Sequence, residues 1–197
     1  SGTTGVLYQA AAAFGGNTIT GFDVGVRTEV AGTSDALGFA AGSGDNLVTG
    51  NRLGVELAGG RIQDQRIVDN QTGVSGTGTL GGTELARANL IRGHDVGVSD
   101  LNGDIQFNRI AGNDIGIAAT DGQRVLYNLI YRNDTVGLLV DGASYVRVTA
   151  NTLYAPAGDN VRLVNGAAHV ELRSSILWAQ QGYDIYVDPW FYLAAPA

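Results

Sequence analysis

One phrase returns down this chain and limits what it can fold into: Asn, any residue, an aliphatic, a short polar turn, then Gly and a second aliphatic. Clear copies run from Asn17 to Val26, Asn46 to Val55, Asn89 to Val98 and Asn108 to Ile117. Gln65 opens a weaker copy, Asn128 to Leu138 carries one inserted residue, Asn151 opens a divergent copy and Ser175 the last. Successive starts are 29, 19, 24, 19, 20, 23 and 24 residues apart, a period of about 22 to 23.

That period suits either a leucine-rich repeat or one turn of a parallel β-solenoid, and the pattern inside each copy decides between them. The apolar positions are largely β-branched and alternate with polar ones, and helix-length patterns are missing. Two residues after each opening position stand Ile19, Val48, Ile67, Ile91, Ile110, Ile130, Leu153 and Leu177; the residues after the glycine are Val26, Val55, Val74, Val98, Ile117 and Leu138. A third inward column, three residues before each opening position, reads Phe14, Ser43, Ile62, Ala86, Ile105, Val125, Val148 and Leu172. The expected fold is all-β: a single-stranded parallel β-helix of about eight coils with three short strands per coil. Its stacked aliphatic core would run ~34 Å at one strand spacing per coil.

Turn residues fit the same plan. Gly25, Gly54, Gly73, Gly97, Gly116 and Gly137 precede one strand of each coil, where a corner needs positive φ or a backbone approach that a Cβ would block. Asn51, Asn70, Asn113 and Asn133, with His94 in register, occupy another bend. Asn tolerates the left-handed region, and stacked amides can bond along the axis. The opening Asn column is expected to form a second ladder.

Composition narrows the chemistry. All 12 basic residues are arginine, there is no lysine, cysteine or methionine, and 19 acids leave a net charge of -7. Disulfides, thiolate metal sites and thiol nucleophiles are excluded, and an acidic chain makes a poor nucleic-acid binder. No stretch approaches the roughly 18 consecutive apolar residues of a membrane helix. The missing methionine and the opening Ser-Gly read as a piece of a longer chain.

The Asn-x-Ile then Gly-Ile phrasing, from about Phe14 to Val187, resembles the parallel β-helix repeats of the pectin-lyase-like superfamily. The last copy, Ser174 to Val187, is similar to the terminal coil of β-helix regions in very large secreted bacterial proteins. The resemblance implies a right-handed helix and a secreted or cell-surface bacterial location. The expected organisation is one domain over 1–197, with an N-terminal cap or partial coil at 1–13, repeats at 14–187 and a C-terminal cap at 188–197. In it, the apolar run Trp190 to Leu193 would plug the last coil. Excursions at about 27–45 and 75–87, rich in Gly, Ser and Thr, would leave the rod as loops.

The resemblance directs a search for catalytic sets. Asp95, Asp114 and Asp134 fall in one column on consecutive coils, with Asp121 and Asp141 after the next strand, a candidate calcium site. The alternative is that each Asp caps its own turn. Arg92, Arg109 and Arg132 project from neighbouring coils and would clamp an acidic sugar, form a solvated face or pair with Asp. The paired-Asp, His and Arg-x-Lys motifs of polygalacturonases are missing, as is the epimerase phrase Asp-Pro-His-Asp, since Trp190 follows Asp188-Pro189. Copper handling would call for more than His94 and His169.

One outward column stands apart: Tyr131, Tyr154 and Trp178 recur at strand spacing in the last three coils. Such a ladder can stack on sugar rings, with Arg132 and Asp134 supplying hydrogen bonds. It can equally stabilise the solenoid face, or be covered by a loop, tail or second subunit. The expected function is a non-catalytic surface module, a rigid spacer or adhesive element that binds polysaccharide and needs no cofactor. The competing expectations are a uronan lyase, hydrolase or epimerase, with calcium in the first case, and a segment that self-associates end to end or joins flanking domains.

Overall fold

A computed structural model, describing residues 2–10, 12–29, 37–39 and 41–189, is all-β apart from one short 3-10 turn at Leu85–Arg87. Every strand pairing is parallel, and the chain winds into a β-solenoid of eight coils, one for each strand of its smaller sheet. Among the described residues no helix is long and apolar enough to cross a membrane.

Each coil presents three faces. The first holds the segment after the glycine, as in Val24–Thr28, Ile115–Ala119 and Val136–Asp141. The second holds short strands such as Asp104–Gln106, Arg124–Leu126 and Arg147–Thr149. The third holds the segment after the opening Asn, from Thr18–Ile19 through Arg109–Ala111 to Ile176–Ala179. Two strands, Leu53–Ile62 and Thr72–Leu80, run around the corner between the first and second faces and fuse them into a 13-stranded sheet; the third face is a separate 8-stranded sheet. At the start, Thr4–Tyr8 pairs with Val24–Thr28, so the chain is already in the solenoid before its first clear repeat.

The interior is stacked aliphatics, each packed on its equivalents in the coils above and below. Ile67, Ile91, Ile110 and Leu153 of the third face, and Val55, Val74, Val98, Ile117 and Leu138 of the first, are fully buried. Burying one such side chain contributes about 1.5–3 kcal/mol.

The second-face column departs from the sequence reading at two coils. Ile62 pairs with Leu80 and with Leu37, and Leu80 pairs with Ile105, so Leu37 and Leu80 fill the places assigned to Ser43 and Ala86. Counting back three residues fails there because the inserted residues lie between the second face and the opening Asn. Ala86 is consequently exposed, and Ser75 to Leu80, expected in an excursion, is strand. A further inward column at the end of the first face includes Leu57, Leu101 and Val140, which the repeat phrase did not cover. The apolar run at 190–193 and residues 30–36 and 40 of the earlier excursion lie outside the described residues.

Two columns of largely buried amides run along the rod, the second from Asn51 to Asn133. In the first, Asn17 donates to Asn46, Asn46 to Gln65, Asn89 to Asn108, Asn108 to Asn128 and Asn128 to Asn151, at 2.8–3.1 Å. The backbone N–H of Gln65 donates to Asn89 and that of Asn151 to Ser175, so the column is continuous through eight coils. Asn89, Asn108, Asn128 and Asn151 also donate to a carbonyl of the second face one coil back; Asn108 reaches Leu80 O at 2.9 Å and Asn128 reaches Ile105 O at 2.9 Å. The second column repeats the pattern: Asn51, Asn70, Asn113 and Asn133 donate to the carbonyls of Ile19, Val48, Ile91 and Ile110, and accept from backbone N–H groups of the preceding coil.

The glycine column exists because of this second ladder. A Cβ added to Gly25 would lie 2.7 Å from Gly54 O and 2.8 Å from the Asn51 amide nitrogen; at Gly54 the corresponding clashes are 2.7 Å to Gly73 O and 2.9 Å to Asn70. These glycines are extended, so close approach and not positive φ selects them. Positive φ falls instead on the residue before every ladder position but Asn89, which follows Ala88 at φ -62°: Gly50, Asp69, Gly93, Gly112 and Arg132 in one column, Gly16, Asp45, Asp64, Phe107, Tyr127, Ala150 and Ser174 in the other.

His94 stands in for an asparagine. Its Nδ1 lies 3.0 Å from the Asn70 N and 2.9 Å from the Asn70 carbonyl oxygen, where Oδ1 accepts elsewhere, and its Nε2 lies 3.0 Å from Ile67 O, where an amide Nδ2 would donate. Burial lowers its pKa below the ordinary 6.5, partly opposed by the carbonyls of Asn70 and Ile67 and the carboxylates of Asp69 and Asp95.

Two outcomes are expected. Asn108→Ala orphans buried carbonyls and an Asn128 acceptor, and should cost ~2–4 kcal/mol in urea unfolding against ~0.5–1.5 kcal/mol for Ile110→Val; equal costs would show that the ladder is dispensable. Because the unfolded chain takes up a proton near pH 6.5 that folded His94 resists, stability is full above that pH and declines as pH falls below it. His94→Asn, which restores an amide rung, should flatten that part of the pH profile in thermal melts.

Candidate functional site

The outer surface of the third face carries the features that point to a ligand. Parity in its strands sends two columns outward. One reads Leu47, Arg66, Leu90, Arg109, Leu129, Thr152, Ile176; the other reads Val68, Arg92, Ala111, Tyr131, Tyr154, Trp178. No residue of the eight strands is Asp or Glu, in a chain with 19 acids.

Tyr131, Tyr154 and Trp178 are axial neighbours on this surface. The Tyr154 and Trp178 rings lie 5.3 Å apart at 49°, and Trp178 is 61% exposed. Two coils nearer the N-terminus the small side chain of Ala111, between Arg92 and Tyr131, leaves a hollow lined by Leu90, Arg92, Arg109, Ala111, Gly112, Tyr131 and Arg132. Arg92 lies across Gly112 of the next coil; a Cβ there would sit 3.7 Å from its Cγ and 3.8 Å from its Nε.

The ion pairs of the described residues engage Arg27, Arg87, Arg124, Arg147, Arg162 and Arg173. Arg66, Arg92, Arg109 and Arg132 are exposed and have no carboxylate partner among the described residues. Pairing of Arg92, Arg109 and Arg132 with Asp does not occur there, which leaves the solvated face and the acidic-sugar clamp of the three expectations for them.

Asp95, Asp114 and Asp134 lie past the turn from this face, all exposed. One residue more separates Asn133 from Val136 than separates Asn113 from Ile115, and the extra residue, Thr135, donates its hydroxyl to Asp114. Among the described residues no group of three or more His, Asp or Glu side chains is placed to hold a metal ion. Asp121 and Asp141 each serve a neighbouring coil, accepting from Ser144 N–H and the Asn165 amide. Both histidines are also engaged: His94 by the ladder, His169 by stacking on Tyr145 at 4.7 Å and 8°.

The sequence reading missed a second aromatic pair. Phe107 and Tyr127 stack at 4.9 Å and 11° on the corner leading into the third face. Both immediately precede an opening Asn, so extending the aligned phrase back by one residue would have found them. Both have positive φ, costly for bulky side chains.

No family model, no curated protein and no solved structure matches the chain. With Asp114 satisfied by Thr135, millimolar calcium or a chelator should leave the melting temperature unchanged; a clear calcium-dependent rise, lost in Asp114→Asn, would show that the carboxylates gather around an ion after all.

Proposed function

We infer that the chain is a rigid rod that holds a carbohydrate along its third face, a non-catalytic module of a secreted or cell-surface protein built on a right-handed helix of the pectin-lyase-like kind. The observation that carries this reading is the aromatic column Tyr131, Tyr154, Trp178, facing outward on the third-face sheet at strand spacing. Buried aromatics need no ligand to explain them, whereas a tryptophan left 61% exposed beside a tyrosine is a platform for a sugar ring.

Binding without turnover is favoured by what surrounds that platform. Acid–base chemistry on a glycosidic bond or uronate needs groups that exchange protons near neutral pH. The face supplies arginine, which stays protonated, and tyrosine, with no carboxylate in its strands. A stiff parallel solenoid also suits display, since each coil is fixed by its neighbours.

A glycan array read with the intact chain tests the reading. Trp178→Ala and Tyr154→Ala should each weaken binding by about tenfold, the loss of roughly one stacking contact, without changing the melting temperature by more than a few degrees. Silence of the intact chain across the array would end it.

A further inference from the structure

We propose that the hollow bounded by Arg92, Arg109 and Arg132 is an oxyanion subsite, so that the ligand of the third face is an anionic polysaccharide bearing carboxylate or sulfate groups; this rests on the reading of that face as carbohydrate-binding. The first support is charge placement. Acids outnumber bases 19 to 12, and six of the twelve arginines pair with a carboxylate; of the other six, Arg61 lies over the Phe39 ring, Arg52 sits in a turn, and the remaining four are those of the third face and its edge. The arginines of the third face are kept apart from acids by strands that contain none. Asp114, the acid closest in sequence to Arg109 beyond the turn, accepts from Thr135 instead.

The second support is backbone geometry. Arg132 has φ 55°, in a slot that Gly21, Gly50, Asp69, Gly93 and Gly112 fill in other coils. A long side chain there strains the turn, and no ion pair among the described residues offsets it. Arg132 instead lines the hollow with Arg92 and Arg109.

The third support is spacing. Arg66 and Arg109 alternate with leucines along one column, and the axial neighbours of Arg92 are Val68 and Ala111. Staggering keeps like charges from stacking and leaves each guanidinium fork open to a bidentate oxyanion. Tyr131 lines the same hollow and begins the aromatic column, so a polymer with its rings on Tyr154 and Trp178 brings its charged groups onto the arginines. Acids on other faces are screened beyond about 8 Å at physiological salt.

The experiment measures binding of backbone-matched polymers, namely dextran, carboxymethyl-dextran and dextran sulfate, and hydroxyethyl-, carboxymethyl- and sulfated cellulose, across a salt titration. The intact chain is compared with the double variant Arg92→Gln/Arg109→Gln, with Arg132→Gly and with Trp178→Ala. Charged polymers should bind at least about tenfold more tightly than neutral ones and weaken with salt, and the double variant should lose most of that difference. Arg132→Gly should bind less tightly yet melt ~2 °C higher, because glycine relieves the turn; a merely structural arginine would not separate the two readouts. Preference between the carboxymethyl and sulfate series assigns the oxyanion. Equal binding of neutral and charged polymers, indifferent to the arginines and lost in Trp178→Ala, overturns the subsite and leaves the carbohydrate reading standing. No binding to any polymer overturns both. Equally tight, arginine-dependent binding of a single-stranded oligonucleotide overturns the polysaccharide class.

Discussion

Parallel pairing places each residue about one strand spacing, ~4.8 Å, from its counterpart in the next coil, and the rest of the molecule answers to that repetition. A side chain survives in the interior only if it tolerates near-copies of itself above and below. Aliphatics do, by packing. Carboxamides do so actively, since each carries a donor and an acceptor and can bond in both directions, which a carboxylate cannot. The two amide columns therefore satisfy the carbonyls that bends leave pointing inward, and the glycine column clears the volume that one of them occupies.

The same rule arranges the surface charge. On the first two faces acid and base pair between neighbouring coils, as with Arg27 and Glu56, and Arg124 with Asp104. Where two arginines do become axial neighbours, Arg124 and Arg147, each has a carboxylate on its outer side, Asp104 and Glu171. Exposed pairs of this kind add little stability singly. Their value here is that they let charged residues occupy a stack at all. The third face solves the problem without acids, by interleaving arginines with leucine, valine and alanine.

Much of this was legible in the sequence because a solenoid writes each constraint eight times. The third-face and post-glycine columns, and His94 among the turn asparagines, follow from alignment alone. Leu37 and Leu80 did not, since insertions move a residue in sequence without moving its slot in space. The reason for the glycines was ambiguous between φ and contact until the next coil's backbone could be placed against them. The candidate site was half visible. Tyr131, Tyr154 and Trp178 repeat and so announce themselves, whereas an absence of acids from one face emerges only when strands separated by about 20 residues are laid side by side. The suggested Asp column shows the opposite risk: aligned letters need not make a cluster when one extra residue, Thr135, enters the turn.

The interleaving of arginines has a metrical consequence. Each coil from the third to the sixth contributes one free guanidinium to this surface, Arg66, Arg92, Arg109 and Arg132 in turn, and the first three switch sides from coil to coil. Along the first column Arg66 and Arg109 stand two coils apart, at ~10 Å, and Arg92 in the second column falls halfway between them. The rod is thus a graduated scale, whose divisions are fixed by main-chain hydrogen bonds and not by the reach of flexible side chains. A polymer lying along it would be sorted by its own repeat length, through the phase it keeps with those divisions.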